Sequence, residues 1–299
     1  MTLISEPLSD PTARRLLRSS AKQSYEPGVD IDWDAPLVEG AYFMQPERMS
    51  LYRTPIWDAM PEERRVEMSK HETASIASVG LWFEIILMQL MVRQVYDQDP
   101  RSERMQYALT EIGDECRHSV MFGRMIDRYG VPAYGTPPQI HRLGRGFKAL
   151  AGGASAYASI LVAEEILDRL QREAMNDERV QPLSRMVARI HVLEEARHMT
   201  FAREEVARTV PTLSRPARAF HQLITAQTAL FVTRSLVNPQ VYAAVGLDPR
   251  EARRQALGNP YYQQTLAWMG ERVIGFLDEH GLVGRVHRPT WRRSLLLPD

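Results

Sequence analysis

The pentapeptide Asp114-Glu115-Cys116-Arg117-His118 recurs as Glu194-Glu195-Ala196-Arg197-His198. Both copies read acid-Glu-x-Arg-His, and both fall in stretches of helical periodicity. A Glu and a His three residues apart stand one turn apart on a helix face, so both side chains can reach one metal ion. One Glu-x-x-His in a chain with eight histidines is unremarkable; two that share a flanking acid and arginine form a constellation. Its other half should be an acid on each of two further helices. Glu84 lies among Leu81, Leu87 and Met88, where a carboxylate is costly unless paired or metal-bound. Glu164 shares a helix face with Ile160, Leu161 and Leu167, whereas Glu165 shares one with Asp168, Arg169 and Arg172. Glu164 is therefore the inward acid. His191, Glu195 and His198 follow an i, i+4, i+7 stripe and face the same centre.

Glu84, Glu115, Glu164, Glu195, His118, His191 and His198 make four carboxylates and three imidazoles. Carboxylates can bridge two ions and imidazole suits iron, zinc and copper, so the inventory describes a dinuclear site. Left empty, such a site would bury acids that repel one another. Iron suits it best because it cycles between ferrous and ferric while binding O2; manganese or a mixed pair is the alternative. A metal-bound histidine donates its other N–H to a carboxylate or carbonyl. Asp114 is assigned to His198 and Glu194 to His118, with Arg117 and Arg197 pairing the two acids; solvent-facing salt bridges are the plain alternative. Cys116 is off the 115/118 face and reads as a small core residue.

The elements that must hold these residues are helices. Helical patterns run over 62–96, as one long helix or as two with a kink near Gly80, then 103–129, 154–177, 182–210, 213–236 and 260–280. Residues 132–153, rich in Gly and Pro, read as a long connection. Residues 1–61 are an irregular, proline-rich arm with a short helix near 12–20, and residues 211–299 add covering helices and a tail. One domain of 299 residues is expected, all-α, built on a four-helix bundle with one long crossover. Hydrophobic residues at 44% and charged residues at 25% exclude disorder for most of the chain. With 37 basic against 37 acidic residues, no bulk charge favours nucleic acid. Cys116 is the only cysteine, which excludes an intrachain disulfide and cysteine-based metal sites. No apolar run is expected to span a membrane, and the polar start from Met1 to Asp10 suggests a cytoplasmic protein.

The pattern resembles the ferritin-like non-haem diiron oxygenases, and among them the p-aminobenzoate N-oxygenase or arylamine oxygenase type. Glu84, Glu115–His118, Glu164 and Glu195–His198 match the six general diiron ligands, and His191 matches the extra histidine of the N-oxygenase group. The resemblance implies two iron ions, O2 as co-substrate and oxidation of an amine nitrogen to hydroxylamine, nitroso or nitro through a peroxo-diferric intermediate, in natural-product biosynthesis. It also implies a small-molecule amine substrate, an external electron donor or reductase, and a homodimer. Arg272 is a candidate to hold a substrate carboxylate. Oxidation at carbon by a diiron hydroxylase or desaturase is the alternative function, and a ferroxidase or iron-storage role a more distant one.

Overall fold

The computed structural model describes residues 8–298. Its helices are α1 (Pro11–Lys22), α2 (Pro27–Asp30), α3 (Pro55–Asp58), α4 (Glu62–Val95), α5 (Glu103–Tyr129), α6 (Pro138–Leu150) and α7 (Ala154–Ala174). They continue with α8 (Pro182–Thr209), α9 (Arg215–Ser235), α10 (Gln240–Ala244), α11 (Pro249–Gly258), α12 (Pro260–Glu279) and α13 (Arg288–Arg293). No strand occurs among the described residues. The fold is all-α.

Local chemistry sets the ends of the bundle helices. Glu62 and Glu63 occupy the first turn of α4, where negative charge complements the helix dipole. Gly130 ends α5 at φ 67°, a left-handed conformation that a side chain would strain. Pro182 opens α8 at a position where its missing N–H costs nothing. Short connections then fold α4 onto α5 and α7 onto α8. Contacts of α5 with α8 and of α4 with α7 close these two hairpins into the bundle.

The remaining helices cover this bundle. α9 and α12 lie against α7, α10 against α4, and α13 against α9. The N-terminal arm packs on its own chain: α1 rests on α5 and α8, and Trp33, Phe43, Met49, Leu51 and Trp57 are buried in the common core. Gln181, before α8, pins the arm by accepting from the Val38 N–H at 2.9 Å and donating to the Val38 carbonyl at 2.7 Å.

Three expectations change. The 132–153 connection contains α6, whose Gly144 is buried against Trp82 and Ile86 of α4. Of the two readings of 62–96, the single long helix is the one found, since α4 runs through Gly80 without a break. That helix is also long and apolar enough to cross a membrane by composition, although half of the relevant window is buried inside the bundle. Cys116 is exposed rather than in the core.

Candidate metal centre

Each of the four bundle helices delivers acid to one buried point. Glu84 comes from α4, Glu115 and His118 from α5, Glu164 from α7, and His191, Glu195 and His198 from α8; none is more than 3% exposed. His118 Nδ1 lies 3.2 Å from Glu115 Oε2 and 3.2 Å from Glu195 Oε1. His198 Nδ1 lies 3.0 Å from oxygens of the same two glutamates. The third imidazole closes the ring: His191 Nε2 is 3.6 Å from Glu84, 3.7 Å from Glu195 and 3.9 Å from Glu164. All seven residues singled out by spacing therefore meet. Glu115 and Glu195 stand between His118 and His198 and offer oxygens to both.

The far side of each imidazole is also engaged. His118 Nε2 meets Glu194 at 2.8 Å and His198 Nε2 meets Asp114 at 3.1 Å, each across from α5 to α8 or back. Arg117 pairs with Asp114, and Arg197 Nη2 lies 3.6 Å from Asp114 and 3.5 Å from Glu194. Both acids are buried, so these are not solvent-facing salt bridges. Two contacts carry no signal in the spacing. His191 Nδ1 pairs with Gln171 Oε1 at 2.7 Å, and Ser119 Oγ donates to Glu84 Oε2 at 2.7 Å.

A further acid joins the cluster. Glu111 is buried, and it lies within ligand distance of Glu115 and His198. Its signal was present in the sequence: Glu111, Glu115 and His118 repeat the i, i+4, i+7 spacing of His191, Glu195 and His198. Glu111 and His191 thus hold equivalent places in the two halves of the bundle.

The donor set fits cations. Both oxygens of Glu111 and Oε2 of Glu195 are buried without a hydrogen-bond partner. Burial and the neighbouring carboxylates of Glu195, Glu115 and Glu84 push Glu164 well above the ordinary carboxyl range. Burial also raises Glu84, partly offset by its contact with His191. The imidazoles answer this charge: burial opposes protonation of His118 and His198, yet the surrounding carboxylates hold both well above the usual imidazole value. Such a cluster competes for positive charge, and a pair of divalent ions held by neutral imidazoles would satisfy it.

Comparison with known proteins agrees with this geometry. The family described as p-aminobenzoate N-oxygenase AurF matches residues 6–281. The chain belongs to this family. Its relatives include an uncharacterized protein of Mycobacterium tuberculosis (strain ATCC 25618 / H37Rv), 28% identical over 286 residues, which cover 93% of this chain and 84% of the relative. An uncharacterized protein of Mycobacterium bovis matches with the same identity and coverage.

One expected site residue falls elsewhere. Arg272 is exposed on α12, where its charge acts on Glu165 rather than on the cluster. Glu165 itself is buried and paired with Arg203 at 2.6 Å, on a face of α7 turned away from the centre.

Proposed function

We propose that this chain is an O2-dependent non-haem diiron oxygenase that oxidises an amine nitrogen of a small molecule. The observation that carries the reading is the third histidine. His191 lies on the same stripe as Glu195 and His198 and brings a nitrogen to both Glu84 and Glu164. Two iron ions held by Glu84, Glu115, His118, Glu164, His191, Glu195 and His198 would supply O2 activation. Hydroxylamine formation then balances as amine, O2, two electrons and two protons giving hydroxylamine and water. The electrons come from an external donor.

The protein's own residues do the rest. Glu194, Asp114 and Gln171 each fix one imidazole through its outer nitrogen, which sets ring orientation and the tautomer that leaves the inner nitrogen free. Ser119 fixes one oxygen of Glu84, leaving the other toward His191. Tyr25 of the arm donates its backbone N–H to Glu194 at 3.1 Å, so the arm helps to seal the centre from water.

The test begins with purified protein loaded anaerobically with ferrous iron and desalted. About two irons per chain are expected, falling in Glu164→Ala and in His191→Ala. The loaded protein is then given an aryl amine, a chemical reductant and isotopically labelled O2. Mass spectrometry should find label on nitrogen. Less than one iron per chain, unaltered by either substitution, would sink the diiron reading, and label on carbon would redirect it to a hydroxylase.

A further inference from the structure

A cavity occupies the bundle layer next to the cluster. Its wall includes Gly80, Phe122, Leu167 and Ala188, each one helical turn from Glu84, His118, Glu164 and His191 respectively. It therefore sits on the bundle axis, one layer from the seven residues described above. Two contacts make the boundary explicit. The Phe122 ring is 5.0 Å from the His191 ring, and Gln171, in the cavity wall, holds His191 Nδ1. The cavity has a volume of about 70 Å³, which limits it to a small ligand.

The chemistry of the wall is unusual for a site that would take a charged molecule. None of its residues is ionisable; among apolar side chains it carries only Gln45, Thr73, Gln171 and Ser184. Two of these four are already committed, Gln171 to His191 and Ser184 to Tyr129 at 2.6 Å. The other two each carry an atom without a hydrogen-bond partner. Gln45 is almost wholly buried and donates Nε2 to the Leu170 carbonyl at 3.2 Å, while its Oε1 has no partner. Thr73 Oγ1 is likewise buried without a partner. Lys70, one turn before Thr73, is not in the wall and is paired with Glu67 at 2.7 Å.

We infer that the amine taken at this centre is uncharged, with an apolar body and a neutral hydrogen-bonding group that donates to Gln45 Oε1 and accepts from Thr73 Oγ1. This rests on the oxygenase reading for what happens to the amine, but not for what binds. A carboxylate in this wall would lose its hydration and meet no cation, a penalty that hydrogen bonds from one hydroxyl do not offset. A primary amide has the right complement: its N–H donates to Gln45 and its carbonyl accepts from Thr73.

The probes are 4-aminobenzamide and 4-aminobenzoate, which share size and shape and differ in charge. Binding to the iron-loaded protein is measured anaerobically at pH 7.5 by calorimetry, so that no oxidation is needed for the readout. The amide should bind at least about tenfold more tightly than the acid, a preference of the size expected for an unpaired buried charge. Thr73→Val should weaken amide binding several-fold without changing iron content, and Ala77→Phe, which fills the cavity, should abolish it. Equal or tighter binding of 4-aminobenzoate would overturn the inference, as would failure of the amide to bind at millimolar concentration or indifference of its affinity to both substitutions. The oxygenase reading has a separate fate: a bound amide that never acquires oxygen on nitrogen would defeat that reading and leave the pocket assignment standing.

Discussion

His118 of α5 and Glu194 of α8 meet at 2.8 Å, and His198 of α8 returns the contact to Asp114 of α5 at 3.1 Å. Each helix thus supplies an inner Glu–His pair and the outer anchor for the histidine of the other. The acid that precedes each Glu in the repeated pentapeptide is what makes this crossing work. A residue one position before a ligand is rotated by about 100° on the helix, which takes it off the inward stripe and toward the adjacent helix.

Removing an anchor should therefore weaken metal binding more than it weakens the fold. Glu194→Gln and Asp114→Asn keep the volume and a hydrogen-bonding oxygen but lose the charge. Each is expected to lower iron affinity by about 10- to 100-fold, as losses of such outer partners do elsewhere. Competition with a chelator, read by absorbance, measures this directly. An affinity within twofold of the parent protein in both variants would show that the crossed contacts are incidental.

Glu164 offers a prediction of opposite sign for stability and metal content. Burial and its carboxylate neighbours hold its pKa well above the ordinary range, so the folded chain binds a proton there that the unfolded chain releases. Its contribution to stability is thus largest below the ordinary carboxyl value and declines as pH rises toward the folded value. Glu164→Gln removes the ionisation while keeping the volume. Metal-free Glu164→Gln should unfold at higher urea than the parent at alkaline pH, with the difference shrinking toward acid pH. The same variant should hold less iron. A uniform loss of stability at every pH would mean that Glu164 is held ionised by partners other than metal.

Glu72 tests the same physics away from the Glu/His cluster. It is buried on α4, accepts from the Ser50 backbone N–H at 2.8 Å and contacts Ser50 Oγ at 3.0 Å; Ser50 Oγ in turn contacts the Tyr242 hydroxyl. Burial outweighs the two hydrogen bonds and raises its pKa from 4.5 to about 7. A raised acid destabilises progressively as pH climbs between those values, and the loss is then constant. The full effect is roughly 3 kcal/mol at 1.36 kcal/mol per unit. Glu72→Gln, whose amide can donate to Ser50 Oγ, should match the metal-free parent near pH 5 and exceed it by up to roughly that amount at pH 8. Urea midpoints at the two pH values decide it, and parallel curves would show that Glu72 does not titrate in this window.

The legibility of this protein in its sequence was uneven for physical reasons. Metal-ligating spacing survives in one dimension because i, i+3 and i, i+4 relations are properties of a single helix, so Glu115–His118 and His191–Glu195–His198 were readable. The choice of Glu164 over Glu165 was readable for the same reason, although Glu165 turned out buried and paired with Arg203 rather than solvated. Contacts between helices leave no such trace. Gln171 is 20 residues from His191, and Ser119 is 35 from Glu84. The neighbourhood of Arg272 beside Glu165 leaves no trace either, because helical phase does not say which neighbour a covering helix presents to the bundle. Glu111 was legible and overlooked, since it repeats on α5 the place His191 holds on α8.

In α6 glycine serves packing rather than a turn, which is why its sequence reads as a connection. Gly144 faces α4 so closely that an added Cβ would lie 2.7 Å from Trp82 Cζ2 and 3.4 Å from Ile86 Cδ1. Two effects oppose each other in Gly144→Ala. Helix propensity favours alanine by about 1 kcal/mol in a helix interior. Against it, forcing a methyl group into the rigid indole costs typically 1–3 kcal/mol through side-chain displacement. The steric effect should win because Trp82 is held by Phe83, with ring centroids 5.0 Å apart, and by His141, at 5.7 Å. Arg93 also ties the end of α6 to α4 by donating to the Lys148 and Ala151 carbonyls. Gly144→Ala is therefore expected to lift α6 locally without unfolding the bundle. Limited proteolysis should cut within 132–153 several times faster than in the parent, while global urea stability falls by about 1 kcal/mol or less. Gly146→Ala, whose Cβ meets nothing within 4 Å, is the matched control and should slow the same cleavage through propensity alone. If both variants protect the segment equally, α6 is held by its own helicity and not by its seat on Trp82.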